Sequence, residues 1–296
     1  MISESAILNC FQHLVDINND DLVLVGSGDD AAVIKSQEKD LVHSVDVSKI
    51  NSHFPEDSMP QDIAYRSIAV ALSDLAAMGA YPSFISIGLS SNVTDLKWYK
   101  QFTEGVEKIL NEYQLKLVGG DVTNGEISVC VNVFGYAFEK NILRSTAKVG
   151  DLIFITGPLG EGRRGLEDWK NNQQTKYVKK FFNPKVDFGK SEYISKYANS
   201  CIDISDGLIK DLTRICESSE VGAEIIYENI PITNDIDDLS YGDDYKLCYT
   251  CPPECKDNEF ISKDFCIGEI KSNTEITIKK GNSIVNFKKN GWDSFE

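Results

Sequence analysis

The chain has 296 residues, of which 42% are apolar, and this length and composition are typical of one large or two ordinary globular domains. Its 46 acidic residues against 30 basic ones give a formal net charge of −16, which disfavours partners such as nucleic acid and anionic membranes. No apolar run approaches the roughly 18 residues of a membrane span, and MISESAILNC shows no signal-peptide pattern, so we expect a cytoplasmic protein.

The first half of the sequence predicts alternating strands and helices. The predicted elements, in chain order, are an amphipathic helix at 5–16, strands at 22–25, 33–34 and 41–48, a long helix at 60–78, a strand at 82–90, a helix at 95–113, and strands at 115–120 and 127–138. In the last of these, ISVCVNVFGYAF, the pattern of residues alternates between the two faces of a strand. We predict that it is an exposed edge strand, and that covering it makes the protein a homodimer.

A new series of strands and helices begins after a polar stretch at 139–150, and we take this stretch as a domain boundary. We therefore predict one domain at 1–140 and an α/β domain at 141–296. The strands predicted in the second domain lie at 151–157, 200–205, 222–227, 245–251 and 275–280. The charged run KNNQQTKYVKK is predicted to be a solvated helix face. This layout is α/β or α+β.

Acidic residues recur beside small residues at the predicted chain reversals. A lone aspartate at such a place is usually a turn former, because it bonds its own backbone. Several at the ends of strands in one sheet would lie close together in space. The residues concerned are Asp29 and Asp30 in GSGDDAA, Asp46 in HSVDVS, Asp121 in VGGDVTNG, Asp203 and Asp206 in CIDISDG, and Asp243 and Asp244 in YGDDY.

Asp74 lies in IAVALSDLAAMG, a helix that is apolar or small on nearly all sides. A buried carboxylate is costly unless it is paired or binds a metal, so we predict that Asp74 faces a metal ion. The alternative is a helix cap or an exposed stripe shared with Ser73. Oxygen ligands without His or Cys select hard cations, and magnesium is expected where phosphates complete the coordination.

Other site motifs are incomplete. The eight cysteines are scattered, and Cys248, Cys251 and Cys255 lack a second Cys or His pair at zinc spacing, so we expect reduced thiols. The GKS at 189–191 has Pro184 where a P-loop needs glycine. If a nucleotide binds, it binds through metals and glycine turns.

Seven motifs taken together identify a family. They are, in order, GSGDDAAV, SVDV with His53 shortly after, ALSDLAAMGA, VGGDVTNG, LRSTAKVGD, IDISDGL and GDDYKL. Over almost the whole chain they resemble the thiamine-monophosphate kinase family. They are more distantly similar to the aminoimidazole ribonucleotide synthetase superfamily, whose members bind ATP on a dimeric two-domain fold without a P-loop. The resemblance implies phosphoryl transfer from ATP to thiamine monophosphate, giving thiamine diphosphate, with several magnesium ions.

The resemblance also implies roles for individual residues. Asp30, Asp46, Asp74, Asp121 and Asp206 would be the catalytic carboxylates. The implied metal ligands are Asp30, Ser44, Val45 through its carbonyl, Asp46, Asp74, Asp121, Asp203 and Asp206. The implied ATP contacts are Gly120, Asp121, Arg144 and Ser205, and the implied contacts to the thiamine end are His53, Asp243 and Trp292.

The sequence departs from the family pattern at a few places. Val45 and Val122 each replace a usual Thr, Asp243 stands where Glu is common, and EGRRGLE follows ITGPLG in place of a segment of small residues. Two alternative functions stay open at this point. One is another ATP-using enzyme of the superfamily, although Cys10 lacks the glycine-rich context of a selenophosphate synthetase. The other is an acidic protein that binds divalent cations, which a kinase assay would distinguish.

Overall fold

A computed structural model describes residues 3–15, 22–25, 33–35, 37–285 and 291–293. The chain divides into two compact units. The first comprises Met1–Leu75 and Tyr81–Ala137, and the second comprises Ala76–Ala80 and Phe138–Glu296. The boundary that we place between residues 140 and 141 stays a proposal.

The helices and strands predicted for the first half are confirmed, with small shifts at their ends. They are α1 (Glu4–Val15), β1 (Val23–Val25), β2 (Val33–Ile34), β3 (Leu41–Lys49), α2 (Pro60–Ala77), β4 (Ala80–Ser90), α3 (Leu96–Tyr113), β5 (Lys116–Thr123) and β6 (Ser128–Ala137). Gly79 has a φ of 71°, which favours glycine where a helix ends. The side chain of Asp95 accepts the Lys97 N–H and caps α3. The turn at 26–32 lies outside the described residues.

The first unit contains a four-stranded sheet in the order β3-β6-β4-β5. Strand β3 runs antiparallel to β6, with Leu41 opposite Tyr136, and β4 runs parallel to β5. The prediction that 127–138 is an edge strand is wrong, because β6 lies between β3 and β4. Alternating faces show that one face of a strand is covered, but they do not show whether its edges are paired. In the described sheet the edges belong to β3 and β5.

The two faces of this sheet differ. Val129, Val131 and Val133 of β6 are fully buried, and so is the run Ile68 to Leu72 in α2, apart from a small exposed part of Val70. On the opposite face the β3 part is exposed, and we call its side chains Leu41, Val45 and Val47 the open face. These three side chains are 54%, 53% and 49% exposed. An exposed row of aliphatic side chains of this kind marks a surface suited to a partner.

The second unit contains a seven-stranded sheet in the order β13-β12-β9-β11-β7-β10-β8. Its elements are β7 (Leu152–Ile155), α4 (Glu161–Lys170), α5 (Lys176–Phe182), α6 (Phe188–Tyr197), β8 (Ser200–Asp203), α7 (Leu208–Ser219), β9 (Gly222–Ile226), α8 (Asp238–Tyr241), β10 (Leu247–Cys251), β11 (Phe265–Lys271), β12 (Ile276–Lys280) and β13 (Ser283–Val285). The strands predicted for this half are present, whereas β11 and β13 were not predicted. The core is aliphatic and includes Ile153, Ile202 and Ile267.

Two further predictions concern this unit. The run KNNQQTKYVKK is not one helix face, because it covers the end of α4, a turn, and the start of α5. Val178, inside this run, is buried against Leu166 and Trp169 of α4. All eight cysteines are free thiols, and four of them, including Cys248 and Cys251, are buried. Within the ranges that the structure describes, no helix is long and apolar enough to cross a membrane.

Candidate functional site

Ser44 and Asp74 are brought together in the first unit. The Ser44 hydroxyl on β3 donates a hydrogen bond of 2.5 Å to Oδ2 of Asp74 on α2. Asp74 is half-buried on a helix whose neighbouring positions Ser73 and Leu75 are buried. It lies inside the last turn of α2, so it is not an N-cap, and because Ser73 is buried the two share no exposed stripe. Its role as a metal ligand stays a prediction.

Asp46 lies inside β3, opposite Val131, and not at a chain reversal. Asp121 likewise lies inside β5, opposite Gly88. The prediction that these two carboxylates follow strand ends is therefore wrong, although Asp46 shares its face of β3 with Ser44, because side chains two residues apart point the same way. Val45 between them points its side chain to the open face.

The donor atoms of Ser44, Asp46 and Asp74 fit a magnesium ion, because all are oxygens and two of the groups are carboxylates. Asp30, another implied metal ligand, lies outside the described residues. Among the residues that the structure does describe, no three or more His, Cys, Asp or Glu side chains form a group that could hold a metal. The described part of the chain thus supplies suitable ligand types without a complete metal site.

Gly120 and Asp121 line a cavity of about 660 Å³ on the first unit. A side chain at Gly120 would come within 2.5 Å of the Ile87 carbonyl oxygen, so the close approach of β5 to β4 requires glycine there. Phe134 lines the cavity and stacks on Phe84, with ring centroids 4.9 Å apart. The other lining residues include Ser86, Asn132, Lys35 and Lys39. Ser44, Asp46 and Asp74 do not line this cavity.

His53 is held in the turn that follows β3. Its Nδ1 accepts the Lys49 N–H at 3.0 Å, and its carbonyl oxygen accepts Nε of the buried Arg66 at 2.9 Å. These bonds fix the backbone and the ring nitrogen that faces β3. The contact of His53 with the thiamine end stays a prediction.

Residues 203–207, which we call the acidic loop, connect β8 to α7 in the second unit. The N–H groups of Ser205, Asp206 and Gly207 all donate to Oδ2 of Asp211, at 3.0, 3.0 and 3.1 Å. Asp211 is fully buried in the first turn of α7, and this burial raises the pKa of its carboxyl to about 6. The loop conformation is thus set by a buried carboxylate that sequence analysis did not single out.

Asp206, a predicted metal ligand, is paired with two cations. Its Oδ2 lies 2.6 Å from Nη2 of Arg214 and 3.1 Å from Nζ of Lys210. Nη1 of Arg214 also bonds Asp211 at 2.6 Å. The spacing D-x-x-x-K-D-x-x-R is the signal that could have found these residues, because positions three and four apart meet on a helix.

Two of the residues implied for the thiamine end attach to the acidic loop. The Asp243 N–H donates to the Ser205 carbonyl at 2.8 Å, and the Trp292 N–H donates to the Asp206 carbonyl at 2.9 Å. Asp243 has a φ of 64°, which is uncommon for a residue other than glycine and is found where surrounding structure enforces it. The structure therefore brings Asp203, Ser205, Asp206, Asp243 and Trp292 together.

Asp244, also not singled out as a site residue, holds the turn before α4. Its Oδ1 accepts the N–H of Gly160 at 2.9 Å and that of Glu161 at 3.2 Å. Burial raises the pKa of Asp244 to about 8. The segment 242–245 is thereby tied to the acidic loop on one side and to this turn on the other.

The backbone of Arg144 lies at the end of α7 away from the acidic loop. The residue is exposed in a short 3-10 helix, Arg144–Thr146, and its carbonyl oxygen accepts the hydroxyl of Ser219, the last residue of α7. The acidic loop precedes the first residue of α7, and the two ends of this helix lie roughly 16 Å apart at 1.5 Å per residue. Its predicted contact with ATP stays a prediction.

Comparison with known proteins gives consistent matches. Residues 28–137 match the family described as AIR synthase related protein, N-terminal domain. The chain is 38% identical over 297 residues to thiamine-monophosphate kinase of Buchnera aphidicola subsp. Schizaphis graminum, covering 91% of this chain and 92% of that protein.

Two solved structures extend the comparison. Thiamine-monophosphate kinase from Stenotrophomonas maltophilia K279a superposes with a TM-score of 0.83 at 27% identity, over 94% of this chain and 97% of that one. The structure described as AaThiL complexed with AMPPCP and TMP has a TM-score of 0.79 at 25% identity, over 99% and 98% of the two chains. The predicted fold class, an α/β fold of the aminoimidazole ribonucleotide synthetase type, is confirmed.

Proposed function

The chain belongs to the thiamine-monophosphate kinase family, and on this premise we propose that it transfers the terminal phosphoryl group of ATP to thiamine monophosphate, giving thiamine diphosphate and ADP. The match to relatives of this name runs along most of the chain. A structural neighbour of the family is described as a complex with AMPPCP and TMP, an ATP analogue and a second ligand. The protein is accordingly a kinase.

The observation that carries the proposal most directly is the arrangement around the acidic loop. The backbone of Trp292 is bonded to that of Asp206, and the backbone of Asp243 to that of Ser205, so both attach to the loop that carries Asp203 and Asp206. An indole face attracts a cationic ring such as thiazolium. A site with acidic oxygens at one end and an aromatic ring at the other suits a cationic substrate that carries a phosphate held by metal ions.

The chemistry requires no general base. The attacking oxygen belongs to a phosphate that is already ionised near neutral pH, so the reaction does not depend on a His–carboxylate pair. Asp30, Asp46, Asp74, Asp121 and Asp206 have the proposed catalytic role of holding charge near the reacting phosphates. Magnesium ions, when bound, neutralise the repulsion between two anions during in-line transfer. The residues proposed to hold them are Asp30, Ser44, the Val45 carbonyl, Asp46, Asp74, Asp121, Asp203 and Asp206.

We propose that the nucleotide contacts Gly120 and Asp121 in the first unit, and Ser205 and Arg144 in the second. The narrow backbone approach at Gly120 and the adjacent cavity support the first pair. His53, Asp243 and Trp292 are proposed to contact the thiamine end. The side chain of Asp243 is shorter than the family's usual Glu and reaches less far. Its backbone position is fixed by the hydrogen bond to Ser205.

We also propose that the protein is a homodimer that covers the open face. The exposed Leu41, Val45 and Val47 on edge strand β3 support this, because a row of aliphatic side chains in water is unfavourable. The strong negative charge argues against nucleic acid and anionic membrane as partners. A cytoplasmic location stays a prediction.

Incubation with ATP, magnesium and thiamine monophosphate, with the product identified by mass, tests the proposal. We expect a product heavier by one phosphoryl group and one ADP released for each. ATP consumption without that product would favour another ATP-using enzyme of the superfamily. Absence of both at every magnesium concentration would favour a cation-binding protein.

A further inference from the structure

Lys210 connects two parts of the second unit that the proposed function treats separately. It lies in the first turn of α7, and its Nζ is 3.1 Å from Oδ2 of Asp206. The same Nζ donates to the carbonyl oxygen of Trp292. One ammonium group thus contacts both the acidic loop and the segment that carries the indole.

The segment around Trp292 lies directly on the side chain of Lys210. A side chain at Gly291 would come within 2.6 Å of Cβ and 2.7 Å of Cδ of Lys210, so glycine is needed for this contact. The Trp292 N–H also donates to the Asp206 carbonyl oxygen at 2.9 Å. The backbone of Trp292 is therefore bonded on one side by the acidic loop and on the other by Lys210.

Because of Arg214, Asp206 does not depend on Lys210 alone for a cationic partner. It bonds the same Oδ2 of Asp206 at 2.6 Å and also bonds Asp211, which orders the loop. Asp206 would keep a cationic partner if Lys210 lost its charge, and the loop would keep its backbone bonds to Asp211. The carbonyl of Trp292 would lose the donor that Lys210 supplies.

We propose that Lys210 is a positioning residue that fixes Trp292 beside the acidic loop, and so sets the affinity for thiamine monophosphate without supporting nucleotide binding. The inference rests on the proposed function for the identity of the ligand. It assigns Lys210 no contact with the reacting atoms. Removing the charge of Lys210 removes a cation near the proposed metal ligands. This loss would not weaken the binding of a magnesium nucleotide.

Lys210→Met tests this role, because methionine keeps an unbranched stem to pack against Gly291 and lacks the charge. Lys196→Met is the matched control, since Lys196 is exposed on α6 and pairs only with Glu192 among the ion pairs described, at 3.3 Å. Calorimetry would measure the affinities of thiamine monophosphate and of magnesium AMPPCP separately. We expect Lys210→Met to bind thiamine monophosphate about tenfold more weakly, as for loss of one charge-assisted hydrogen bond. We expect the nucleotide affinity to stay within about twofold.

Hydrogen exchange in the ligand-free protein provides a second readout. We expect faster exchange in the C-terminal peptide of Lys210→Met, and unchanged exchange in peptides from α7, because Trp292 is anchored less firmly while Asp211 still orders the loop. Lys196→Met should match the parent protein in both measurements.

Unchanged affinity for thiamine monophosphate in Lys210→Met would overturn the role of Lys210. Equal losses for both ligands, with a lower melting temperature, would also overturn it, because Lys210 would then only stabilise the fold. If the parent protein itself does not bind thiamine monophosphate, the proposed function fails. In that case the exchange measurement still decides whether Lys210 fixes Trp292.

Discussion

Ser44 and Asp74 join the edge strand β3 to helix α2 through a hydrogen bond of 2.5 Å. Because the serine donates, an amide oxygen in place of the carboxylate can still accept this bond. Asp74→Asn therefore removes a charge while it keeps the contact. This makes it possible to separate the structural role of the residue from its proposed role in binding metal.

We expect Asp74→Asn to reduce phosphoryl transfer by about 100-fold or more, as for loss of a group that stabilises transition-state charge. The melting temperature of the ligand-free protein should stay the same or rise, because a half-buried charge is removed. Stabilisation by magnesium with nucleotide should largely disappear. Asp62→Asn, in the first turn of the same helix, is the control. A fully active Asp74→Asn protein would contradict the proposed role.

Trp292→Ala should weaken the binding of thiamine monophosphate by about 1–2 kcal/mol and leave ATP binding nearly intact, because stacking acts on the thiazolium ring alone. Trp292→Phe, which keeps an aromatic face, should lose less. Calorimetric titration with each ligand measures the difference. Equal losses for both substrates would mean that Trp292 serves only to pack the segment.

Asp244 gives a prediction for pH dependence. Burial raises the pKa of Asp244 from an ordinary 3.8 to about 8, so the folded protein retains a proton that the unfolded chain releases above pH 3.8. This residue therefore contributes stability at low pH that is lost as the pH rises from about 4 to about 8.

Asp244→Asn should remove this pH-dependent loss of stability, since the amide oxygen can still accept the N–H groups of Gly160 and Glu161. Urea unfolding of both proteins from pH 4 to pH 9 would measure the free energy of unfolding. The variant should gain stability relative to the parent by a few kcal/mol across this range and show a constant difference above pH 8. Parallel curves over the whole range would show that Asp244 does not titrate there.

The proposed dimer can be disrupted on the open face. Leu41→Lys combined with Val47→Lys places two charges on the exposed side of β3, and light scattering at micromolar concentration should then show a monomer, because a buried unpaired charge costs several kcal/mol. Val149→Lys, at a position that is 58% exposed in the second unit, is the control and should leave the mass unchanged. A parent protein that is itself monomeric would contradict the dimer.

Sequence predicted the elements well where a single periodic pattern was long. Helix α2 and strand β6 each show this, since their apolar positions recur over many residues. The order of the strands was not predictable in the same way, because pairing of β6 with both β3 and β4 depends on residues far apart in the chain. Strand β11 was missed, and its pairing with β7 is irregular between Cys266 and Gly268.

The motifs and the family resemblance singled out Asp203, Asp206, Asp243 and Trp292. The structure brings these residues together, and their roles stay predictions. Turn propensity misplaced Asp46, because an isolated aspartate among small residues is usually found in turns, and here it lies on a paired strand. Lys210 was missed for a different reason, since a lysine on the first turn of an amphipathic helix resembles any solvated charge.

The three N–H groups that converge on Asp211 have a consequence for binding. The acidic loop takes its shape from a side chain inside the protein, so a ligand that binds there as we propose would meet a surface that is already ordered. Association then involves little loss of conformational entropy in this loop, and contacts made there contribute to affinity almost in full. Substitutions at Asp211 should therefore slow the arrival at a competent geometry as well as weaken the complex, although Asp211 itself touches no ligand in the proposed arrangement.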